Sequence, residues 1–335
     1  MPGGPCPVSV VIPVFNSAGT LRRAVVSVLG QTLRDLELLI VDDGSRDASL
    51  SLARRFADAD DRIRVIALPH NRGKPHAMNV AIAEARGAWI AVLDADDWYA
   101  PDRLATMAAA GESHGVPLVA DNQRFYDAAA DSFVRTAFPP RTGDRELSRA
   151  SFIAGSNPYE DFNFGMLKPI VHADFIRRTG LRYRESATLA EDFLYLVELF
   201  AAGGSGFLVA EPLYNWTQPF GSRSRQWTTT GQGSWRYDFR AALGANAEVL
   251  HDLRQRNQHD LAALLTFRAR AYKRLQCLKE LNQMRAAGVP LSRLMRMVAL
   301  RPWIWPHIAR RMFPVARRRY SEPDADLRIS LPTSR

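Results

Sequence analysis

The sequence predicts an α/β protein: an open, mostly parallel sheet flanked by helices, followed by a helical C-terminal extension. Three observations carry this reading. Four short apolar runs alternate with three segments of helical periodicity over the first hundred residues, the signature of a parallel sheet with crossover helices. Three polar clusters, Phe15-Asn16-Ser17, Asp42-Asp43-Gly44-Ser45 and Asp94-Ala95-Asp96-Asp97, each follow directly on an apolar run, and sheets of this kind bind ligands at the carboxyl ends of their strands. From about Gly231 the alternation gives way to long helical periodicities.

Taken in order, Val8 to Val14 reads as a buried parallel strand feeding a turn, because it is apolar throughout and ends near Pro13. Leu21 to Leu29 has apolar residues at helical spacing and stops at Gly30. Leu36 to Val41 is the second strand, Leu50 to Phe56 the second helix, Ile63 to Leu68 the third strand, and Ala77 to Ala85 the third helix, ended by Gly87. Trp89 to Leu93 is a fourth strand that runs into the aspartate cluster. Beyond Pro101 the pattern weakens, and residues 121 to 165 read as a mixed loop region rich in aromatics and prolines. Ile176 to Gly180, Leu189 to Ala202 and Phe207 to Val209 resume regular structure. Tyr237 to Leu253, Leu261 to Met284 and Leu291 to Val298 are helical, and the polar stretch after Tyr320 reads as disordered.

Composition bounds the class. The 335 residues are 47% hydrophobic and 24% charged, as in a globular protein with a sizeable core. Cys6 and Cys277 are far apart and in no motif, which suits a reducing compartment and argues against a disulfide framework or a thiolate metal site. The start, Met1-Pro2-Gly3-Gly4-Pro5, has no basic n-region followed by an apolar core. No apolar run approaches the ~18–20 residues that span a bilayer, so the chain reads as cytoplasmic. The formal net charge of +9 points to an anionic partner. No recognised nucleic-acid module accompanies it, which argues against nucleic acid. The excess is concentrated near the end, where Arg293, Arg296, Arg301, Arg310, Arg311, Arg317, Arg318 and Arg319 lie among Trp303, Trp305, Met312 and Phe313. Basic, tryptophan-bearing segments of this kind sit at anionic membrane surfaces; the same pattern also fits a helical cap with solvated arginines.

Chemistry concentrates at the strand ends. Three carboxylates in Asp94-Ala95-Asp96-Asp97 repel one another, and a bound cation relieves that. Oxygen-only ligands select Mg2+ or Mn2+, which also bind substrate phosphates. One of the aspartates also suits a helix N-cap before Pro101. Asp42 and Asp43 are placed to accept hydrogen bonds from a ribose or a base, and Asp-Gly is equally an ordinary turn dipeptide. In Asn71-Arg72-Gly73-Lys74-Pro75-His76, Arg72 and Lys74 lead into a helix N-terminus and suit a diphosphate. No G-x-G-x-x-G and no P-loop occurs, which counts against a dehydrogenase or a P-loop kinase. His70, His76, His114 and His172 are scattered and read as surface or packing residues.

The stretches VSVVIPVFNSAGTLRRAVVSVLGQTLRDLELLIVDDGSRDAS and NRGKPHAMNVAIAEARGAWIAVLDADDWYAPDRL resemble glycosyltransferase family 2, whose members have the Rossmann-like GT-A fold. The likeness is dense over the first 110 residues or so and continues through Glu191-Asp192. The segment FGMLKPIVHADFIRRTGLRYRESATLAEDFLYLVELF further resembles the exopolysaccharide glucosyltransferases of the succinoglycan type. The resemblance implies a donor nucleotide site of Pro13, Phe15, Asn16, Asp42, Asp43, Arg72, Lys74, Asp94 and Ala95, with Phe15 on the uracil and Asp43 on the base edge. It implies a metal held by Asp96 and Asp94 in a D-x-D motif, and a general base Asp192 beside Glu191. By itself, Glu191-Asp192 also fits a solvated first helical turn, where acids suit the dipole.

The implied activity is inverting transfer of a sugar, glucose by resemblance, from a UDP-sugar to a lipid-linked oligosaccharide, with Mn2+ or Mg2+ as cofactor and at the inner face of the cell membrane. Two departures from the family pattern stand out. Leu213 to Ser224 reads LYNWTQPFGSRS where members often carry a histidine, and the Q-x-x-R-W motif of processive synthases is missing, so single additions are expected. Transfer to a polyprenyl phosphate or a protein, and a non-catalytic scaffold of the same fold, are the alternatives. The expected organisation is a catalytic domain over 1–230 (nucleotide half 1–110, acceptor half 111–230), a basic helical region over 231–320, and a tail over 321–335.

Overall fold

The computed structural model describes residues 7–139, 143–160, 162–218 and 239–299. The chain divides into two compact units, Met1–Gly233 and Ser234–Arg335. The first is built on one ten-stranded mixed sheet. Strands β1 (Val8–Val14), β2 (Leu36–Asp42), β3 (Ile63–Ala67) and β4 (Trp89–Val92) lie in the order β3-β2-β1-β4, all parallel. The crossovers are helices α1 (Leu21–Leu29), α2 (Ser49–Ala59) and α3 (Lys74–Glu84). Val8, Val10, Ile12, Leu38, Ile40 and Ala91 are buried in one core cluster with Leu21, Ala24, Val25 and Val28 of α1. The α1 residues recur at helical spacing, so one face of that helix covers the sheet.

Gly44 makes the turn after β2 possible. Its φ of 69° is in the left-handed region, and a Cβ there would lie 2.8 Å from backbone atoms of His70 and Asn71. Only glycine fits that close approach, which brings the Asp42-Asp43 turn against the loop that carries Lys74.

Beyond β4 come β5 (Trp98–Tyr99), α4 (Arg103–His114), β6 (Leu118–Asp127), β7 (Ser132–Thr136), β8 (Arg145–Leu147), α5 (Arg149–Ala154), a 3-10 turn at Phe164–Met166, β9 (Ile170–His172), α6 (Ala173–Thr179), α7 (Glu191–Ala201) and β10 (Gly206–Gln218). The sheet continues β4-β9-β6-β10-β5, with β7 on β6 and β8 on β10. Strand β9 is antiparallel to both β4 and β6, whereas β6 and β10 are parallel. The mixed loop region expected over 121 to 165 is therefore corrected: it holds most of a ten-residue strand, two further strands and a short helix. Polar residues concealed that strand. Asp121, Asn122 and Gln123 are wholly buried, and their partners come from distant segments: Arg103 for Asp121, the Phe138 and Ala210 carbonyls for Asn122, and the Met166 carbonyl for Gln123. Strand β10 is also far longer than the expected Phe207 to Val209, because its pairing with β6 shifts register around Pro212 and resumes at Tyr214.

Arg103 and Asp121 are both fully buried. Arg103 donates from Nε and Nη2 to the two Asp121 oxygens at 3.1 and 2.8 Å, and from Nη2 to the Lys168 carbonyl at 2.5 Å. Its guanidinium lies 4.2 Å from the centre of the Tyr99 ring. The fork geometry of arginine allows this set of contacts, which a lysine would not reproduce.

In the second unit, α8 (Phe239–Gln255) buries Phe239, Ala242, Ala245, Asn246, Val249 and Leu253 along one face. The Asn246 amide donates to the Leu265 carbonyl of α9 (His259–Ala286) at 3.0 Å. Helix α10 (Leu291–Ala299) follows, with Arg293, Met295 and Arg296 exposed. No helix among the described residues is long and apolar enough to cross a membrane. The segment from Leu300 onward, with Trp303, Trp305 and most of the arginine cluster, and the tail expected after Tyr320, lie outside the described residues.

Removing one partner of a buried ion pair leaves an uncompensated charge, which costs about 3–5 kcal/mol. Asp121→Ala is accordingly expected to destabilise the first unit by about that amount in urea unfolding, whereas the exposed Asp174→Ala, which breaks a surface pair with Arg177, is expected to change stability by less than about 1 kcal/mol.

Candidate active site

Because β1, β2 and β4 are parallel neighbours, the residues that follow them emerge at one edge of the sheet. A cleft of 480 Å³ opens there, within the ordinary range for a small-ligand site. Pro13, Phe15, Asn16, Asp43, Lys74, Asp94, Ala95, Asp96, Glu191 and Asp192 all line it. Ten of the twelve sequence-predicted positions thus line one cleft, although Glu191 and Asp192 lie almost a hundred residues further along the chain than the aspartate cluster. A second hollow of 560 Å³ lies at the opposite edge, against Trp89 and His172, and holds none of these residues.

Two predicted residues are placed differently. Asp42 is buried under the turn, its Oδ2 accepting from the Ser45 amide at 3.0 Å, and it does not line the cleft. Arg72 also stays outside: its side chain pairs with Glu185 at 3.0 Å, and its amide donates to Asp43 Oδ1 at 2.8 Å. Asp43 takes a second amide, from Gly73, on Oδ2 at 2.7 Å. Both oxygens therefore fix the loop that delivers Lys74. Asp42 and Arg72 are adjacent to cleft residues in sequence, but Ser45 and Glu185 hold their side chains outside the cleft. Three of the four scattered histidines have partners: His76 bonds Glu185, His114 stacks on Phe207 and His172 packs edge-on against Trp89.

A ring of four charges occupies the middle of the cleft. Lys74 Nζ is 2.8 Å from Asp94 Oδ1 and 2.9 Å from Asp192 Oδ2; Lys168 Nζ is 2.7 Å from Asp94 Oδ2 and 2.5 Å from Asp192 Oδ2. Glu191 Oε1 is 3.7 Å from Lys74 Nζ. Burial disfavours every one of these charges, but their mutual attraction outweighs it in the ring itself. Against burial, Asp192 and Asp94 raise both lysines above their usual range. Likewise, against burial, Lys168 and Lys74 hold both aspartates below the usual carboxylate range. For Glu191 burial prevails over Lys74, the Asp192 charge adds to it, and its carboxyl is raised. Asp192 Oδ1 is buried and has no hydrogen-bond partner among the described residues.

Local conformation delivers these groups. Ala190 precedes α7 at φ 62°, a left-handed conformation rare outside glycine, and this sharp turn sets Glu191 and Asp192 on the first turn of the helix. Lys168 was not a sequence-predicted site residue. It stands two residues before β9, and because β9 is antiparallel to β4 with Ile170 opposite Ala91, the start of β9 meets the end of β4, where Asp94 lies. The only sequence signal is a lysine set in the apolar run Met166-Leu167-Lys168-Pro169-Ile170.

The aspartate cluster divides its labour. Asp97 points away from the cleft and is fully buried, accepting from the Tyr214 hydroxyl at 2.7 Å and the Thr217 amide at 2.9 Å. Burial and then the Asp96 and Asp94 charges raise its carboxyl well above the usual range. The Asp96 carbonyl accepts from Arg23 at 2.9 Å and Thr217 Oγ1 at 2.5 Å, so the loop is tied to α1 and β10. Mutual repulsion in the cluster, taken from sequence as a reason for a cation, is thus met at Asp94 by the two lysines, while Asp97 turns away to Tyr214 and Thr217. Among the described residues no three His, Cys, Asp or Glu side chains converge as a preformed metal cage. Asp94 and Asp96 nonetheless fit a hard divalent ion of the kind that binds one or two carboxylates and completes its shell with phosphate and water.

Residues 9–171 match the profile of Glycosyl transferase family 2. Succinoglycan biosynthesis protein ExoO of Rhizobium meliloti (strain 1021) is 36% identical over 198 residues, covering 59% of this chain and 56% of its own length. Succinoglycan biosynthesis protein ExoU of the same organism is 34% identical over 205 residues, covering 59% and 58%. The chain thus spans little more than half the length of these curated relatives. Among solved structures, S. aureus TarS 1-349 in complex with UDP-GlcNAc superposes with a TM-score of 0.59 at 17% identity, covering 87% of this chain and 83% of that one. The mannosyltransferase PcManGT from Pyrobaculum calidifontis, in complex with GDP-Man and Mn2+, gives 0.54 at 20% identity, covering 90% and 84%. At these identities the likeness establishes the fold, which is GT-A. With the family match running from the first strand to the ninth, residues 9–171 of this chain are a glycosyl transferase family 2 domain.

Proposed function

We propose that the chain is an inverting hexosyltransferase that moves a sugar, glucose on the resemblance to the succinoglycan proteins, from a UDP-sugar to a lipid-linked oligosaccharide in exopolysaccharide synthesis. The observation that supports this reading is the convergence of Phe15, Asn16, Asp43, Asp94, Asp96 and Asp192 on one cleft, where Lys74 and Lys168 bridge Asp94 and Asp192. Those residues suit the nucleoside, Lys74 suits the diphosphate, and Asp192 suits the acceptor hydroxyl. Two superposable enzymes were solved with nucleotide sugars, one of them with Mn2+.

Asp96, with Asp94, would hold Mn2+ or Mg2+ against the diphosphate oxygens, where the ion would neutralise charge on the departing group. Asp192 takes the proton of the acceptor hydroxyl as that oxygen bonds to the anomeric carbon. The bond from that carbon to the β-phosphate oxygen breaks and its electron pair leaves with UDP. Attack from the face opposite the leaving group inverts the centre, so an α-linked donor gives a β linkage. The lipid-borne acceptor and a peripheral position at an anionic membrane surface rest on the arginine and tryptophan pattern between Met295 and Tyr320.

Calorimetric titration of UDP, UDP-glucose and GDP-mannose, with Mn2+, is expected to show binding of the uridine compounds alone. The metal-dependent part of that binding is expected to disappear in Asp96→Ala. Equal binding of GDP-mannose would remove the uridine assignment, and no binding of any nucleotide would remove the transferase reading. Asp192→Asn is expected to lower kcat by about 10²–10⁴-fold while retaining UDP affinity; near-normal turnover would show that another group takes the proton.

The pH profile follows from the direction of the Asp192 shift. Activity needs the ionised carboxylate, which is present above its pKa and lost as pH falls through it. Since Lys168 and Lys74 hold that pKa below the usual range despite burial, the acid limb of kcat/KM, which reports the free enzyme, is expected below about pH 4. An acid limb near about pH 6 would show that the lysine pairing is lost in solution.

A further inference from the structure

Lys168 is the least accessible member of the charge ring, its side chain 7% exposed against 17% for Lys74. Between them, the two ammonium groups engage both oxygens of Asp94, Lys74 on Oδ1 and Lys168 on Oδ2, and both meet the same oxygen of Asp192. Thus the ring occupies both oxygens of Asp94, which the cation needs, and the Oδ2 of Asp192, whose carboxylate takes the acceptor proton. Lys168 is held from behind, because Arg103, itself paired with Asp121, donates from Nη2 to the Lys168 carbonyl. Its carbonyl is anchored there, whereas its charged end is held by Asp94 and Asp192.

A nucleoside diphosphate brings two negative charges or more into this ring. Ammonium groups prefer the more highly charged, multi-oxygen phosphate partner when one is offered, and a cation can then take the vacated Asp94 oxygen. We propose that Lys168 is a diphosphate-binding residue that works with Lys74 by partner exchange. In the empty site the two lysines neutralise Asp94 and Asp192. With a nucleoside diphosphate present they turn to its phosphates, which releases Asp94 to the divalent cation and Asp192 to the acceptor hydroxyl. The chain alone is then a poor metal binder, and metal and nucleotide bind with positive coupling. This rests on the nucleotide-sugar reading of the cleft.

The test measures metal and nucleotide binding rather than turnover. Free Mn2+ is followed by electron paramagnetic resonance with and without UDP, and UDP binding is followed by calorimetry in EDTA and in Mn2+, for wild type, Lys168→Met and Lys168→Arg. In wild type, UDP is expected to tighten Mn2+ binding by about tenfold or more. Lys168→Met, which removes one competitor from Asp94 and one phosphate donor, is expected to bind Mn2+ alone more tightly than wild type and to bind UDP in EDTA about tenfold more weakly. Lys168→Arg keeps the charge, and is expected to recover most of the UDP affinity; it also serves as the folded control if the methionine variant is unstable. Unchanged UDP affinity in Lys168→Met, or unchanged affinity for Mn2+ alone, would overturn the exchange while leaving the donor site standing. Failure of wild type to bind UDP in either buffer would overturn the nucleotide-sugar reading itself, and the exchange with it.

Discussion

The alternating charges Asp94, Lys74, Asp192 and Lys168 are the interaction on which the cleft depends. They come from four separate places: the end of β4, the start of α3, the first turn of α7 and the approach to β9. Each contact lies between 2.5 and 2.9 Å, so the ring joins β4 and α3 of the parallel half of the sheet to α7 and the approach to β9. Half-buried charges are tolerated only in such a paired arrangement, since an unpaired one would lose its hydration with no return. The backbone around the ring is arranged to hold it. Asp43 secures the Lys74 loop, Arg103 secures Lys168, and the left-handed Ala190 sets the angle at which Asp192 arrives.

Rigidity and charge are divided between two kinds of buried ion pair. Arg103 and Asp121 are wholly buried and make a bidentate contact beneath the cleft, supported by the Tyr99 ring; nothing there faces a ligand. The ring above remains 7–24% exposed along its side chains, is built from flexible lysines, and opens to the cleft. A planar arginine fork suits a permanent strut, and a lysine tip on a four-carbon stem suits a group that changes partners. Asp97 is a third case: a carboxyl raised by burial and by its own neighbours, bonded to Tyr214 and Thr217, that ties the aspartate loop to the last strand of the sheet.

Much of this was legible in the residues. The alternation of apolar runs with helical periodicity from Val8 to Leu93 specifies a parallel sheet, because each element is buried by its immediate neighbours in sequence. The same local logic marks Phe15, Asp43, Asp94 and Asp96, which follow directly on those strands. Asp42 and Arg72 show the limit: sequence proximity to a site says nothing of direction, and their partners Ser45 and Glu185 hold both side chains outside the cleft.

The sequence by itself therefore determined the parallel half of the sheet, the edge at which its polar clusters gather, and the acidic and basic residue types found there. The tertiary structure decided what those charges do. Strand β6 was hidden because Asp121, Asn122 and Gln123 are satisfied by groups up to about ninety residues away, so its polar face carries no local periodicity. Lys168 was hidden for a related reason. It reaches Asp94 because β9 runs antiparallel to β4, and that pairing joins segments some eighty residues apart through a register that no short window of sequence contains.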